Sequence, residues 1–427
     1  MATRPRENRK YQNQTTYFLR PEIIRLDFLL MKVTIVIPLF NKEEHVRMAV
    51  RSALEQTHPE VEVIVVNDGS TDNSASTVNL LETEHENLTV LHQTNQGLSV
   101  ARNNGLKHGT GEYVLFHDAD DKLERNAVER LLHIALTKSS DIVGGIFRRH
   151  SPTKIKVLQT FARNEYQMRF SSNIELALKY CVNFSSCNKL FKVSFLQENQ
   201  IRFTPGLYMQ DIEFWLKCMV HASNVSQTDI VVAAYYYYPN SGSQAKHTER
   251  FESLFLLSDR LSLIFQSSDF AHLAVIRSHA LIQGAIRFFS DWKLDEWETT
   301  KEKKDLDRIG GILRSIPEEH FVSFLERNRG PTTAIQLLIR VGDYQEAYRL
   351  KKSPYSGSIA WRKPFGRLDS VEKIMGFSRG VGRSFLRNLI YEIYYLVPLY
   401  WKNPERIPRA GVRLLTRLIK RIFHFVK

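Results

Sequence analysis

The stretch from Val33 to Val66 reads VTIVIPLFNKEEHVRMAVRSALEQTHPEVEVIVV, and its two ends decide the fold class. Both ends are continuous apolar, β-branched runs that lack the alternation of a half-exposed strand, the pattern of parallel strands buried on both faces. Between them, Val46, Ala49, Val50, Ala53 and Leu54 keep helical spacing. Glu43 and Glu44 fall in the first turn, where the helix dipole favours acid, and Asn41 is available as a cap. Strand, helix and strand within about 35 residues form a βαβ unit with a right-handed crossover. An α/β protein with a mostly parallel central sheet is expected.

The same alternation continues downstream. After Val66 comes Asn67-Asp68-Gly69-Ser70-Thr71-Asp72-Asn73-Ser74, in which Gly69 supplies a turn and Asp72 caps the next helix. Asp68 is the last strand residue, at the carboxyl edge of the sheet where α/β folds bind ligands. A third strand, Leu88 to His92, leads into a helix with Leu98, Ala101, Gly105 and Leu106 on one face. Arg102 lies beside that face, placed either to reach a phosphate or, in the ordinary case, to stand as a solvated surface charge. A fourth strand, Tyr113 to Phe116, runs into His117-Asp118-Ala119-Asp120-Asp121. Carboxylates so close together are costly unless a cation sits among them, and a divalent Mg²⁺ or Mn²⁺ with oxygen ligands is the expected occupant. Asp121 by itself reads equally well as the cap of the helix beyond. Asp141 to Phe147 is expected as a fifth strand, and Arg148 to Phe170 as a polar, variable connection.

In their order and spacing, VTIVIPLFN, VIVVNDGSTDNS and NQGLSVARNNGLKHGTGEYVLFHDADD resemble the nucleotide-binding half of family 2 glycosyltransferases, which have the GT-A fold. The resemblance spans Val33 to Asp121 and continues more loosely to Gln244. It implies nucleotide-binding roles for Pro38, Phe40, Asp68, Arg102 and Asp118: Phe40 and Asp68 near the base, Arg102 near the nucleotide pocket, Asp118 near the ribose. It also implies that Asp120 holds the metal bound to the diphosphate. His247 falls where many such enzymes supply a further metal or phosphate ligand, although a lone His in a polar stretch ordinarily has no such role.

Asn188-Lys189-Leu190-Phe191 resembles a signature of the family's acceptor half. Gln210-Asp211-Ile212-Glu213-Phe214 resembles its Glu-Asp pair, whose Asp is the catalytic base; here Gln210 replaces the usual Glu and removes a negative charge beside Asp211. Without the resemblance, Asp211 reads as a helix cap. The chemistry asks for a base, because an acceptor hydroxyl must lose its proton as it attacks, and a positioned carboxylate contributes about 10²- to 10⁴-fold. With a cation neutralising the leaving diphosphate on the other side of the sugar, a single in-line displacement with inversion is expected.

The chain has 427 residues, with Lys and Arg at 59 against 46 Asp and Glu for a formal charge of +13. Its expected divisions are a flexible N-terminal extension (1–31), a GT-A domain (32–250), an α-helical C-terminal region (251–350), a linker (351–383) and a basic amphipathic tail (384–427). In the helical region Leu254, Leu257, Leu261, Ile276 and Leu281 keep helical spacing, and Gly310-Gly311 separates two pieces. In the tail Arg413, Arg417, Lys420 and Arg421 oppose Leu415, Leu418, Ile419 and Ile422, which suits an anionic membrane surface. The positive charge is not interleaved with aromatics on a sheet, so nucleic acid is not the expected partner. Cys181, Cys187 and Cys218 lack metal-ligand spacing and read as unpaired thiols of a reducing compartment. No apolar run approaches the roughly 20 residues of a spanning helix. The expected location is cytoplasmic, peripheral at the inner face of the cell membrane. The expected function is transfer of a hexosyl or N-acetylhexosaminyl group from a UDP-type donor to a cell-surface glycan, teichoic acid or lipid-linked acceptor. A catalytically silent sugar-nucleotide binder is the alternative, disfavoured by the intact Asp118, Asp120 and Asp211.

Overall fold

A computed structural model describes residues 28–151, 154–158, 166–168, 184–236, 247–266, 274–291, 300–317 and 320. The expected linker at 351–383, the tail at 384–427 and most of the N-terminal extension lie outside the described residues. Four strands, β1 (Val33–Leu39), β2 (Val61–Asp68), β3 (Leu88–Gln93) and β4 (Tyr113–Phe116), pair in parallel in the order β3-β2-β1-β4. Every residue of β1 and β4 is buried, which is why these strands read as unbroken apolar runs. The order reverses between β1 and β4, so the crevice beyond their carboxyl ends is a topological switch point. Pro38 costs β1 no ladder bond: Val36 O accepts from His117 N at 2.9 Å, and Pro38, two residues on, lies past the end of β4.

Three helices cover this half: α1 (Val46–Leu54), α2 (Ser74–Glu84) and α3 (Leu98–His108). A Cβ added to Gly105 would lie 2.3 Å from Val36 Cγ1, so glycine is what lets α3 settle onto β1. Arg102, one turn earlier, is carried down with it and is 1% exposed. The solvated surface charge that sequence alone favours for Arg102 is therefore corrected.

Beyond β4 the sheet becomes mixed. β5 (Lys122–Leu123), β6 (Ile142–Ser151), β9 (Lys189–Lys192) and β10 (Val225–Tyr236) extend it in the order β4-β9-β6-β10-β5, with β9 antiparallel to both neighbours. β7 (Lys154–Leu158) pairs with β6, and β8 (Tyr166–Met168) with β10. The stretch expected as a polar connection thus contains ladder strands. Arg148, Arg149 and His150 are half-buried and carry no apolar signature to betray them.

Among the described residues the remaining helices are α4 (Ala127–Thr137), α5 (Val193–Glu198), α6 (Gln210–His221), α7 (His247–Phe265), α8 (Ala274–Asp291) and α9 (Thr300–Ser315). One apolar core runs from Val33 to Ile316 and takes in Leu254, Leu257, Leu261, Ile276 and Leu281, the residues that helical spacing singled out. Tyr208 N donates to Ser253 Oγ at 3.0 Å, and Arg260 Nε donates to the buried Glu213 at 2.7 Å, which ties α7 to α6 and the loop before it. Gly310 and Gly311 lie inside α9 and do not separate two helices. At the other end the chain is already docked at Phe28, whose ring meets His58 edge-on at 5.3 Å. Among the described residues no helix is long and apolar enough to cross a membrane.

Candidate active site at the switch point

The centre of the site is a buried guanidinium. Arg102 Nη1 donates to Asp211 Oδ1 at 2.9 Å, while its Nη2 donates to Asp118 Oδ1 at 2.9 Å and to Cys187 Sγ at 3.3 Å. Burial by itself lowers the arginine's pKa; the adjoining Asp211, Cys187 and Asp118 reverse that and hold its proton more tightly than usual. Burial likewise favours the neutral form of Asp118, but Arg102 outweighs it and holds the carboxyl below its ordinary value. Arg102 also lies over the Phe203 ring at 5.1 Å, and Phe203 stacks on Phe214 at 3.9 Å with an interplanar angle of 6°. Phe116 at the end of β4 and Phe191 on β9 complete this aromatic floor, which joins the two halves of the sheet beneath the site. Asn103 holds the Phe203 backbone reciprocally, its Nδ2 donating to Phe203 O at 2.7 Å and its Oδ1 accepting from Phe203 N at 3.0 Å.

Asp211 is not a cap. Met209 is the N-cap of α6, and Asp211 sits inside the first turn with its side chain 24% exposed. Arg102 and Ser186, the latter at 2.9 Å, both donate to Oδ1; Oδ2 takes no hydrogen bond from the described residues. A carboxylate oriented through one oxygen with the other open is the arrangement a general base needs. Gln210 has a local reason to be an amide: the end of its side chain faces the Leu207 and Tyr208 carbonyl oxygens, to which an amide turned nitrogen-first donates and a carboxylate could not.

The acidic turn after β4 divides by environment. Asp118 faces Arg102. Asp120 Oδ2 accepts from Lys42 Nζ at 2.6 Å, across the gap between β1 and β4. Asp121 is buried, its Oδ1 accepting from Tyr236 N at 3.1 Å and its Oδ2 without a partner among the described residues. Burial, together with Asp118 and Asp120, pushes the Asp121 carboxyl up to about 9. It does not cap α4, whose N-cap is Asn126. His117 is buried with both ring nitrogens unpartnered among the described residues, and burial holds it down at about 4, hence uncharged.

Among the described residues no three His, Cys, Asp or Glu side chains converge to hold a metal. An all-oxygen turn with an orphaned buried carboxyl oxygen nevertheless fits a hard divalent cation that takes one or two carboxylates and completes its shell with water and diphosphate. Asp120, with Asp118 and Asp121 beside it, would hold such an ion. His247 begins α7, but its side chain lies outside the described residues.

At the far side of the crevice Phe40 projects from the end of β1 and is 43% exposed, whereas Pro38 is buried within the strand. Asp68 sits at the sheet edge as expected but is buried, accepting from Gln93 Nε2 at 2.7 Å and from Gln96 N and Gly97 N at 2.8 Å. Its carboxylate shapes the loop that opens α3. Sequence reasoning missed Lys42, Ser186 and the depth of Lys189; a lysine after a strand and a serine before a signature carry no signal of their own.

Lys189 is buried, with Nζ donating to Ser185 O and to Asn188 Oδ1 at 3.0 Å and lying 4.5 Å from the Trp215 ring centre. Burial lowers its pKa to about 7, against the pull of Asp211. In the unfolded chain it titrates near 10.4, so between about 7 and 10 the unfolded state binds more protons and stability rises with pH. Lys189→Met is expected to remove that rise. Urea midpoints of both proteins between pH 7 and 10 check it, the wild type gaining up to about 1.4 kcal/mol per pH unit relative to the variant.

Residues 34–199 match the family model described as Glycosyl transferase family 2. The chain is 29% identical over 222 residues to the uncharacterized glycosyltransferase YibD of Escherichia coli, covering 50% of this chain and 63% of that protein. It is 28% identical over 308 residues to the poly(ribitol-phosphate) beta-glucosyltransferase of Bacillus spizizenii, covering 68% of this chain and 46% of that protein. It thus spans less than two thirds of the length of either relative. Among solved structures it resembles residues 1–349 of S. aureus TarS in complex with UDP-GlcNAc, with a TM-score of 0.59 and 20% identity over 78% of this chain and 93% of that one. At that identity the likeness establishes the fold, which is GT-A.

Proposed function

We propose that this protein transfers a sugar from a nucleoside diphosphate donor to an acceptor hydroxyl, with inversion at the anomeric carbon; the match of residues 34–199 to the family model described as Glycosyl transferase family 2 supports the reading. The observation that carries this reading is the Arg102 bridge. One buried guanidinium fixes Asp118, at the donor edge of the switch point, and Asp211, on a helix that follows the acceptor half, in a single arrangement. The acceptor O–H bond breaks as Asp211 Oδ2 takes the proton. The freed oxygen bonds to the anomeric carbon, and the bond from that carbon to the diphosphate breaks with its electron pair leaving on phosphate. A divalent cation bound at Asp120 would supply charge neutralisation for that leaving group. Exposed Phe40 offers a face for a nucleoside base, and the loop held by Asp68 follows β3, two strands along the same edge of the sheet.

The donor is proposed to be a UDP-sugar and the acceptor a cell-surface glycan or polyol phosphate. Support comes from a relative named for poly(ribitol-phosphate) and a solved relative holding UDP-GlcNAc. The basic amphipathic segment at 384–427 supports work at an anionic membrane surface, where lipid-linked acceptors reside. A panel of sugar nucleotides incubated with the full-length protein, with and without Mn²⁺, tests the proposal through release of nucleoside diphosphate. UDP-sugars are expected to turn over, and faster with metal. Binding without turnover would instead support a silent sugar-nucleotide binder, and no response to any donor would overturn both. Co-flotation with anionic vesicles tests the surface placement.

A further inference from the structure

Lys42 stands in the switch point and belongs to none of the expected roles. Its backbone is held firmly while its side chain is not. Asn41 adopts a left-handed φ of 51°, its N donating to Ser70 Oγ at 3.1 Å and its Oδ1 accepting from Thr71 N at 2.8 Å. Lys42 N donates to Ser74 Oγ at 2.8 Å, Glu43 N to Asp72 Oδ2 at 3.1 Å, and Asn73 N to Glu43 Oε2 at 2.8 Å. These bonds lock the loop after β1 to the loop after β2. The Lys42 side chain leaves that platform, 23% exposed, and reaches one partner among the described residues, Asp120 Oδ2 at 2.6 Å.

We propose that Lys42 is the resident counter-cation of the acidic turn, displaced from Asp120 by a divalent cation and then turned onto the donor's diphosphate. The inference rests on the nucleotide-donor reading above and names one more residue for it. Three features support it. Asp120 is 16% exposed and therefore open to an incoming ion. Arg102 is already committed to Asp118 and Asp211, so Lys42 is the cation that the described residues place on Asp120. A lysine ammonium is a compact charge on a four-carbon stem, able to swing without disturbing a backbone fixed by other bonds. A divalent ion on Asp120 repels that ammonium, and the anion nearest to a switch-point ligand site is the diphosphate itself.

Full-length Lys42→Met separates this role from a structural one. Mn²⁺ binding without nucleotide, followed by electron paramagnetic resonance of the free ion, is expected to tighten about tenfold, because a competitor and a like charge are removed. UDP binding at saturating Mn²⁺, measured by calorimetry, is expected to weaken about tenfold for want of a phosphate partner. If Lys42 merely braced the acidic turn, the variant would bind both ligands more weakly. Unchanged or weaker Mn²⁺ binding overturns the proposal, as does unchanged UDP binding. A wild-type protein that bound neither Mn²⁺ nor UDP would instead overturn the donor reading beneath it. Because the loop bonds come from backbone and from other side chains, an unchanged thermal midpoint for Lys42→Met is expected and verifies that the comparison is made on folded protein.

Discussion

Asp211→Asn is expected to lower transfer by about 10²- to 10⁴-fold while leaving UDP binding unchanged. The substitution keeps shape and keeps an oxygen where Arg102 and Ser186 donate, each at 2.9 Å, so the first turn of α6 retains its anchor. What changes is the open position. Oδ2, which accepts nothing from the described residues, becomes an amide nitrogen with no lone pair to take a proton. The loss therefore falls on kcat. Steady-state kinetics paired with UDP titration calorimetry reads the two quantities separately. Turnover within a few-fold of wild type would show that the proton leaves by another route.

Arg102→Met is expected to damage both the fold and the reaction. Removing one partner from a buried ion pair strands the other charges and typically costs about 3–5 kcal/mol. Here the cost falls toward the low end, because Asp118 and Asp211 are 33% and 24% exposed and water offsets part of their repulsion. The methionine still packs over Phe203, so the loss is electrostatic and not a cavity. Arg102→Lys tests the positioning role more sharply. A single ammonium lacks the planar fork that reaches Asp118 and Asp211 together, and misplacing a catalytic group by about 1 Å can cost about 10²-fold. The lysine variant is expected to recover much of the urea midpoint but little of kcat, with donor KM moving less. Recovery of stability and kcat in parallel would assign Arg102 a purely structural role.

How much of this was legible follows from where each signal resides. β1, β2 and β4 announce themselves because both of their faces are buried, and α7 and α8 because Leu254, Leu257, Leu261, Ile276 and Leu281 all enter one core at helical spacing. Of β6, the part up to Phe147 was legible as an apolar run, while its carboxyl end, β7 and β8 were hidden, since a half-buried strand end carrying Arg148, Arg149 and His150 looks like any polar connection. In the candidate site, Asp118, Asp120 and Asp211 stood out in ordered motifs, and the fold brings Asp118 and Asp211 onto Arg102. Asp121 was not assignable, because its burial and the field of its neighbours, which together raise its pKa, are set by the fold.

The sequence alone determined the βαβ alternation, the acidic turn and the order of the motifs, because periodicity and residue type are local properties that survive in a linear reading. Only the tertiary structure decided what the charges do. Arg102 is separated from Asp118 by 16 positions and from Asp211 by 109, and Lys42 from Asp120 by 78, yet each pair meets within 3 Å. An arginine on a helix becomes a buried bridge only once Gly105 lets α3 settle onto β1 and the aromatic floor carries α6 alongside. Coulomb energy depends on distance and burial in space, and neither is written in the spacing of residues along the chain.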